Sequence, residues 1–159
     1  MQFNIVENNL GTAIRLSNFL FFFGKKPSDI GTLQKLFTAF SFRMVKQVHG
    51  TRIIGPEESS GPSTEADGIM TKEVNSALCI STADCLPVLL ASEKDGAIIA
   101  LHAGWKGLEA EIIAKAAGQL VSFGISPNGF CAFVGPHISP KRFEVGLDVA
   151  ERLDATFAK

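Results

Sequence analysis

Two apolar runs, Leu86 to Ala91 and Ala97 to Leu101, flank the turn signal Lys94-Asp95-Gly96. Runs this short with a Gly-bearing turn between them predict two buried strands folded back as a hairpin. Cys85 stands at the entry to the first strand and His102 at the exit of the second. In an antiparallel pair the start of one strand lies beside the end of the next, so a thiol and an imidazole are expected at one rim.

The flanking stretches supply further strands and covering helices. Alternation at Phe3, Ile5, Ile14 and Leu16 predicts inward-facing residues on early strands, and the apolar run Asn18 to Phe23 predicts a buried strand. Gly24-Lys25-Lys26-Pro27 ends that run. Ser28 is then the expected cap of a helix that covers the sheet through Ile30, Leu33, Leu36 and Phe37. Strand-like pieces at Met44 to Val48 and Thr51 to Ile54 bracket His49-Gly50. Residues 55–66, rich in Gly, Pro, Ser and Glu, predict an exposed loop, either a cover over a pocket or a solvated insertion. Ser76 to Ser81 and Phe130 to Val134 read as strands, and Leu108 to Phe123 and Leu147 to Phe157 as helices. Strands outnumber helices and include antiparallel hairpins, which predicts an α+β fold with a mixed, largely antiparallel sheet covered by helices.

At 159 residues, 46% hydrophobic and 19% charged, the chain is expected to form one domain, residues 1–159, with a sizeable core. Its 15 basic and 16 acidic residues are spread without long runs, which argues against nucleic acid or a membrane surface as partner and favours small molecules. No apolar run reaches the length of a membrane span, and no secretory pattern opens the chain. Cys79, Cys85 and Cys131 form an odd set without close spacing, so a reducing cytoplasm is expected rather than a disulfide framework. The residues leave the oligomeric state open.

His49 and His102 each adjoin a glycine-bearing turn, Val48-His49-Gly50 and His102-Ala103-Gly104, which lets backbone approach a shared centre closely. With Cys85 they offer two nitrogen ligands and one sulfur, a set that suits zinc with a fourth position open to water or substrate. The intervals lack CxxC or HExxH spacing, so three readings stay open. One is the metal site. Another makes Cys85 the nucleophile of a metal-free cysteine hydrolase or deamidase, with His49 or His102 as its base. The third is a packed thiol beside two hydrogen-bonded turn histidines. Asp84 is a candidate proton shuttle or a structural carboxylate, and strand alternation is expected to turn it away from Cys85. The Gly104 to Gly107 loop, opening the helix predicted from Leu108, is a candidate phosphate site, with Lys106 as its cation and Trp105 as a ring that stacks on a purine or packs. His137 reads as structural, and Cys79 and Cys131 as core thiols.

Several segments match a known family in order. They are Lys46-Gln47-Val48-His49-Gly50, Ala66-Asp67-Gly68, Thr82-Ala83-Asp84-Cys85-Leu86-Pro87-Val88-Leu89-Leu90, His102-Ala103-Gly104-Trp105-Lys106-Gly107, and Gly135-Pro136 followed by Phe143-Glu144-Val145-Gly146. From about Phe19 onward they closely resemble the YfiH-like family, also called laccase-domain or polyphenol-oxidase-like. The resemblance implies an α+β fold and a zinc site at His49, Cys85 and His102. It further implies phosphorolysis of the purine nucleosides adenosine, inosine, guanosine and methylthioadenosine, together with adenosine deaminase activity. In deamination, metal-activated water attacks the purine carbon bearing the amino group, with Asp84 as candidate shuttle. Three histidines cannot furnish the centres of a multicopper oxidase, but a single Cu2+ on the same ligands is an alternative basis for polyphenol oxidoreductase activity. The chain departs from the family pattern at three places. Phe143 stands where tyrosine is common, and Phe23-Gly24-Lys25-Lys26 matches an arginine motif only loosely, since lysine lacks the planar fork. The family's C-terminal region is also expected to be missing.

Overall fold

The computed structural model describes residues 4–16, 18–25, 30–126 and 129–158. The chain runs through β1 (Asn4–Glu7), β2 (Gly11–Leu16), β3 (Phe19–Gly24), α1 (Ile30–Leu36), β4 (Ser41–Arg43), β5 (Val45–Lys46), β6 (Ile53–Ile54) and β7 (Gly61–Glu65). It continues through β8 (Gly68–Thr71), β9 (Ser76–Leu78), β10 (Leu86–Ser92), β11 (Ala97–Ala103), α2 (Trp105–Glu109), α3 (Ile112–Ser122), β12 (Phe130–Val134) and α4 (Leu147–Phe157).

The predicted hairpin is β10–β11, and it forms the middle of a five-stranded sheet of order β12-β10-β11-β8-β6. Its neighbours pair antiparallel except β6 with β8, which is parallel. The register sets Pro87 opposite His102 and Ser92 opposite Ala97. At the turn, the Ser92 hydroxyl donates to Asp95 Oδ2 at 2.8 Å, and Gly96 adopts φ +63°, a conformation that glycine reaches without a Cβ clash.

Side chains alternate across these strands and build a core on each face. Ile99, Leu101 and Ala103 of β11, with Met70 and Val88, join Ile112, Ala116 and Leu120 of α3 in one cluster. In the other cluster Ala91, Leu89 and Ile98 pack with Leu16 and Phe21 of the three-stranded sheet β1-β2-β3. The α+β class with mixed, largely antiparallel sheets therefore holds, but the large sheet has a helix on one face and a second small sheet on the other.

Several local expectations are corrected. α1 buries none of its residues, so Ile30, Leu33 and Leu36 do not form the expected cover; Phe37, just past its end, meets the Phe22 ring at 6.3 Å. Ile5 is 64% exposed because β1 pairs only with β2, and β3 buries only Phe21. The expectations for Phe3, Lys26, Pro27 and Ser28 lie outside the described residues. The single helix predicted from Leu108 to Phe123 is two, α2 and α3, separated at Glu111, whose φ is +60°. The break keeps α2 against the His49 loop, where a Cβ on Gly107 would lie 3.0 Å from the Gly50 carbonyl oxygen, while α3 turns onto the sheet. The stretch 55–66, expected as an exposed loop, contains β7, parallel to β5, and its ends Gly55 and Ala66 are buried. It is pinned by buried Arg43, whose guanidinium donates to the carbonyls of Gly55 and Glu58 at 3.3 and 2.7 Å. α4 has the predicted bounds but buries no residue fully. Arg152 links it to Glu109 of α2. Among the described residues no helix is long and apolar enough to cross a membrane.

Leu101 is fully buried, whereas Leu147 is 82% exposed. In urea denaturation, Leu101→Ala is expected to cost about 2–5 kcal/mol, while Leu147→Ala stays within about 0.5 kcal/mol of the parent.

Candidate metal centre

Three segments converge at one end of the β10–β11 hairpin. His102 sits within β11 and is 3% exposed. Cys85 lies in the bend just before β10, half-buried, and His49 follows β5 in an exposed turn. One ligand atom from each of the three falls within 4.8 Å of the others, close enough to share an ion. The two imidazole rings lie edge to face with centroids 4.7 Å apart. These two nitrogens and one sulfur match the donors zinc or copper accepts.

Glycine permits this convergence. A Cβ on Gly104 would sit 2.8 Å from His49 Cδ2 and 3.2 Å from Cys85 Sγ. His49 itself has φ +59°, which is uncommon for a residue with a side chain. Two further side chains hold the segments together. Gln47 exchanges a pair of 2.8 Å hydrogen bonds with the backbone of Ser81, joining the His49 turn to the stretch that leads into Cys85. Asp67, fully buried, accepts from the backbone amides of Val48, His49 and Gly50 at 3.3, 2.9 and 2.7 Å. Its Oδ1 also lies 2.8 Å from His102 Nδ1.

The sequence reading singled out neither Gln47 nor Asp67 as a site residue. Both lie in the family-like motifs Lys46-Gln47-Val48-His49-Gly50 and Ala66-Asp67-Gly68. An acid immediately before a buried strand was the available signal, because a buried carboxylate needs partners.

Asp84 is exposed and lies in a bend rather than a strand, so strand alternation does not decide its direction. Its backbone carbonyl accepts from Ile138 at 3.0 Å. Burial first, and then the charges of Asp84 and Asp67, hold the Cys85 thiol above its ordinary value. Free nucleophilic cysteines usually show the opposite shift. Gly104 and Gly107 are buried, Trp105 is half-buried, and Lys106 is exposed. Both Lys106 and Arg152 approach the Trp105 ring, at 5.6 and 5.2 Å from its centroid. Gly104 caps α2, which has only five residues. An open cleft of about 710 Å³ is lined by Phe23, Lys25, Pro136 and His137 among others and by none of the three cluster residues. His137 Nδ1 lies 2.8 Å from the Gly135 carbonyl oxygen.

The sequence profile of the family described as multi-copper polyphenol oxidoreductase laccase matches residues 30–159. The chain belongs to this family. Relatives of this laccase-domain chain include a purine nucleoside phosphorylase of Deinococcus radiodurans, 39% identical over 120 residues, which are 75% of this chain and 46% of the relative. The purine nucleoside phosphorylase YfiH of Escherichia coli is 34% identical over 115 residues, 72% of this chain and 46% of the relative. Among solved structures, the Neisseria meningitidis protein NMB0706 aligns with TM-score 0.70 at 29% identity, covering 80% of this chain and 51% of that one. The laccase-domain chain spans about half the length of the curated relatives it matches. The expected YfiH-like membership holds, and all three cluster residues lie in the matched span.

The half-buried Cys79 thiol is pushed up to about 11 by burial. The folded chain therefore keeps this proton more tightly than the unfolded one, and the thiol's contribution to stability falls as pH rises above 9.0 toward about 11. Urea midpoints measured across that interval should decline less steeply in Cys79→Ala than in the parent. Iodoacetamide at pH 8 should label Cys85 before Cys79, as read by peptide mass mapping.

Proposed function

We propose that this laccase-domain chain carries the metal centre of a zinc-dependent purine nucleoside phosphorylase. The observation that carries this reading is the convergence of the His49, Cys85 and His102 donor atoms within 4.8 Å. The names borne by the Deinococcus and Escherichia relatives support the substrate class. His49, Cys85 and His102 would hold the ion, and zinc so bound supplies a Lewis acid that polarises a substrate oxygen or activates water.

In phosphorolysis a phosphate oxygen forms a bond to the ribose carbon while the glycosidic bond breaks and its electron pair leaves with the purine. Lys106, exposed two residues after Gly104, is a cation that would hold phosphate, and Trp105 offers ring surface to the base. The substrates would be adenosine, inosine, guanosine or methylthioadenosine. Adenosine deamination is the second activity in this reading, with exposed Asp84 as the proton shuttle. An odd set of three widely spaced cysteines suits a reducing cytoplasm.

A metal-free cysteine hydrolase is the second reading. It is favoured by Asp67, His102 and Cys85 following one another in the order of an orienting acid, a base and a nucleophile. The raised Cys85 thiol weighs against it.

Zinc-loaded protein given inosine and phosphate should release hypoxanthine and ribose 1-phosphate, detected by chromatography. His49→Ala or His102→Ala should abolish that release. Fully loaded protein that forms no free base would refute the phosphorylase reading, and inosine formed from adenosine would support the deaminase. Activity that survives metal removal but is lost in Cys85→Ala would instead establish the hydrolase. Gly104→Ala, which crowds His49 and Cys85, should weaken zinc binding by roughly tenfold or more in chelator competition. Gly118→Ala, whose Cβ meets nothing within 4 Å, should leave zinc binding unchanged.

A further inference from the structure

Asp67 uses one side chain to hold both histidines of the cluster. It is 0% exposed, and its four polar contacts come from two directions. Three are backbone amides of the turn that carries His49: His49 to Oδ1, and Val48 and Gly50 to Oδ2. The fourth is His102 Nδ1, 2.8 Å from Oδ1. An amide N–H can only donate, and an ionised carboxylate can only accept, so a carboxylate satisfies all four contacts when His102 Nδ1 bears the hydrogen. A neutral imidazole protonated at Nδ1 has its lone pair at Nε2. The same carboxylate closes the backbone around His49, where φ is +59° and the conformation needs support from its surroundings.

We propose that Asp67 is the positioning residue of this centre, fixing His102 as the Nδ1–H tautomer with Nε2 free as a ligand and clamping the left-handed turn that presents His49. The role as support for a metal ligand rests on the zinc reading above; the tautomer assignment does not. Asp67→Asn is the informative change because it keeps the shape and removes one acceptor. Whichever way the amide is turned, its NH2 group faces donors: His49 N–H and His102 in one orientation, Val48 and Gly50 N–H in the other. Glu65→Gln is the comparison. It removes a carboxylate charge two positions from Asp67, but Glu65 is exposed, pairs with Lys46 and lies outside this hydrogen-bond set.

The first measurement uses unsubstituted, metal-free protein at pH 8. Long-range 1H–15N correlation spectra should show His102 protonated at Nδ1 and bare at Nε2, and the Nε2–H form would overturn the proposal without reference to any metal. The second is chelator competition for zinc. Asp67→Asn should bind about 10–100-fold more weakly than the parent, while Glu65→Gln changes by less than about threefold. Equal losses in the two variants would reduce Asp67 to a generic charge and overturn the proposal. If Asp67→Asn fails to fold, as judged by circular dichroism, the spectrum of the parent decides alone. A parent that binds no zinc yet shows the Nδ1–H form would sink the zinc reading and keep the tautomer assignment.

Discussion

A single buried carboxylate accepting hydrogen bonds from two sides is the constraint on which the arrangement of this centre depends. Asp67 stands just before β8, which pairs with β11 on one side and β6 on the other. Its backbone also takes part: the Asp67 carbonyl accepts from the His102 amide at 2.8 Å, and its amide donates to Arg52 at 2.8 Å. The residue is thus fixed by the sheet before its side chain orders anything. A carboxylate out of water without partners would be costly, so burial at this point demands the ring and the three amides that meet it.

The rest of the fold makes that geometry rigid. α3 closes one side of the large sheet and the β1-β2-β3 sheet closes the other, so β10 and β11 are held from both faces. The hairpin end is then narrowed by small residues, with Gly104 against His49 and Cys85 and Gly107 against the Gly50 carbonyl. Preorganised donors lose little entropy when they share a ligand.

Much of this was legible in the sequence, for reasons that can be located. The β10–β11 hairpin followed from two apolar runs around a Gly-bearing turn, and it brought Cys85 and His102 together without any long-range knowledge. The third member, His49, was recognisable by its glycine and by motif, although nothing local reveals that Asp67 brings its turn to the rim. Failures occurred where tertiary partners override periodicity. Ile30, Leu33 and Leu36 have helical spacing but α1 meets no surface that buries them, and Ile5 alternates on a strand with a single neighbour. The break at Glu111 has no glycine or proline to announce it. On either side of it α2 lies against the Gly50 turn and α3 against the sheet face.

The three donors come from separate stretches, a turn after β5, the bend before β10 and the end of β11, joined through sheet pairing, Gln47 and Asp67. No short peptide cut from this chain would contain the set. A ligand that needs all three therefore recognises the finished fold and gains almost nothing from the denatured ensemble, unlike one bound by closely spaced cysteines that an unfolded chain can still chelate. Occupancy of such a centre would raise the thermal midpoint by nearly the full mass-action amount, making the melting temperature itself a sensor of the free concentration of whatever binds there.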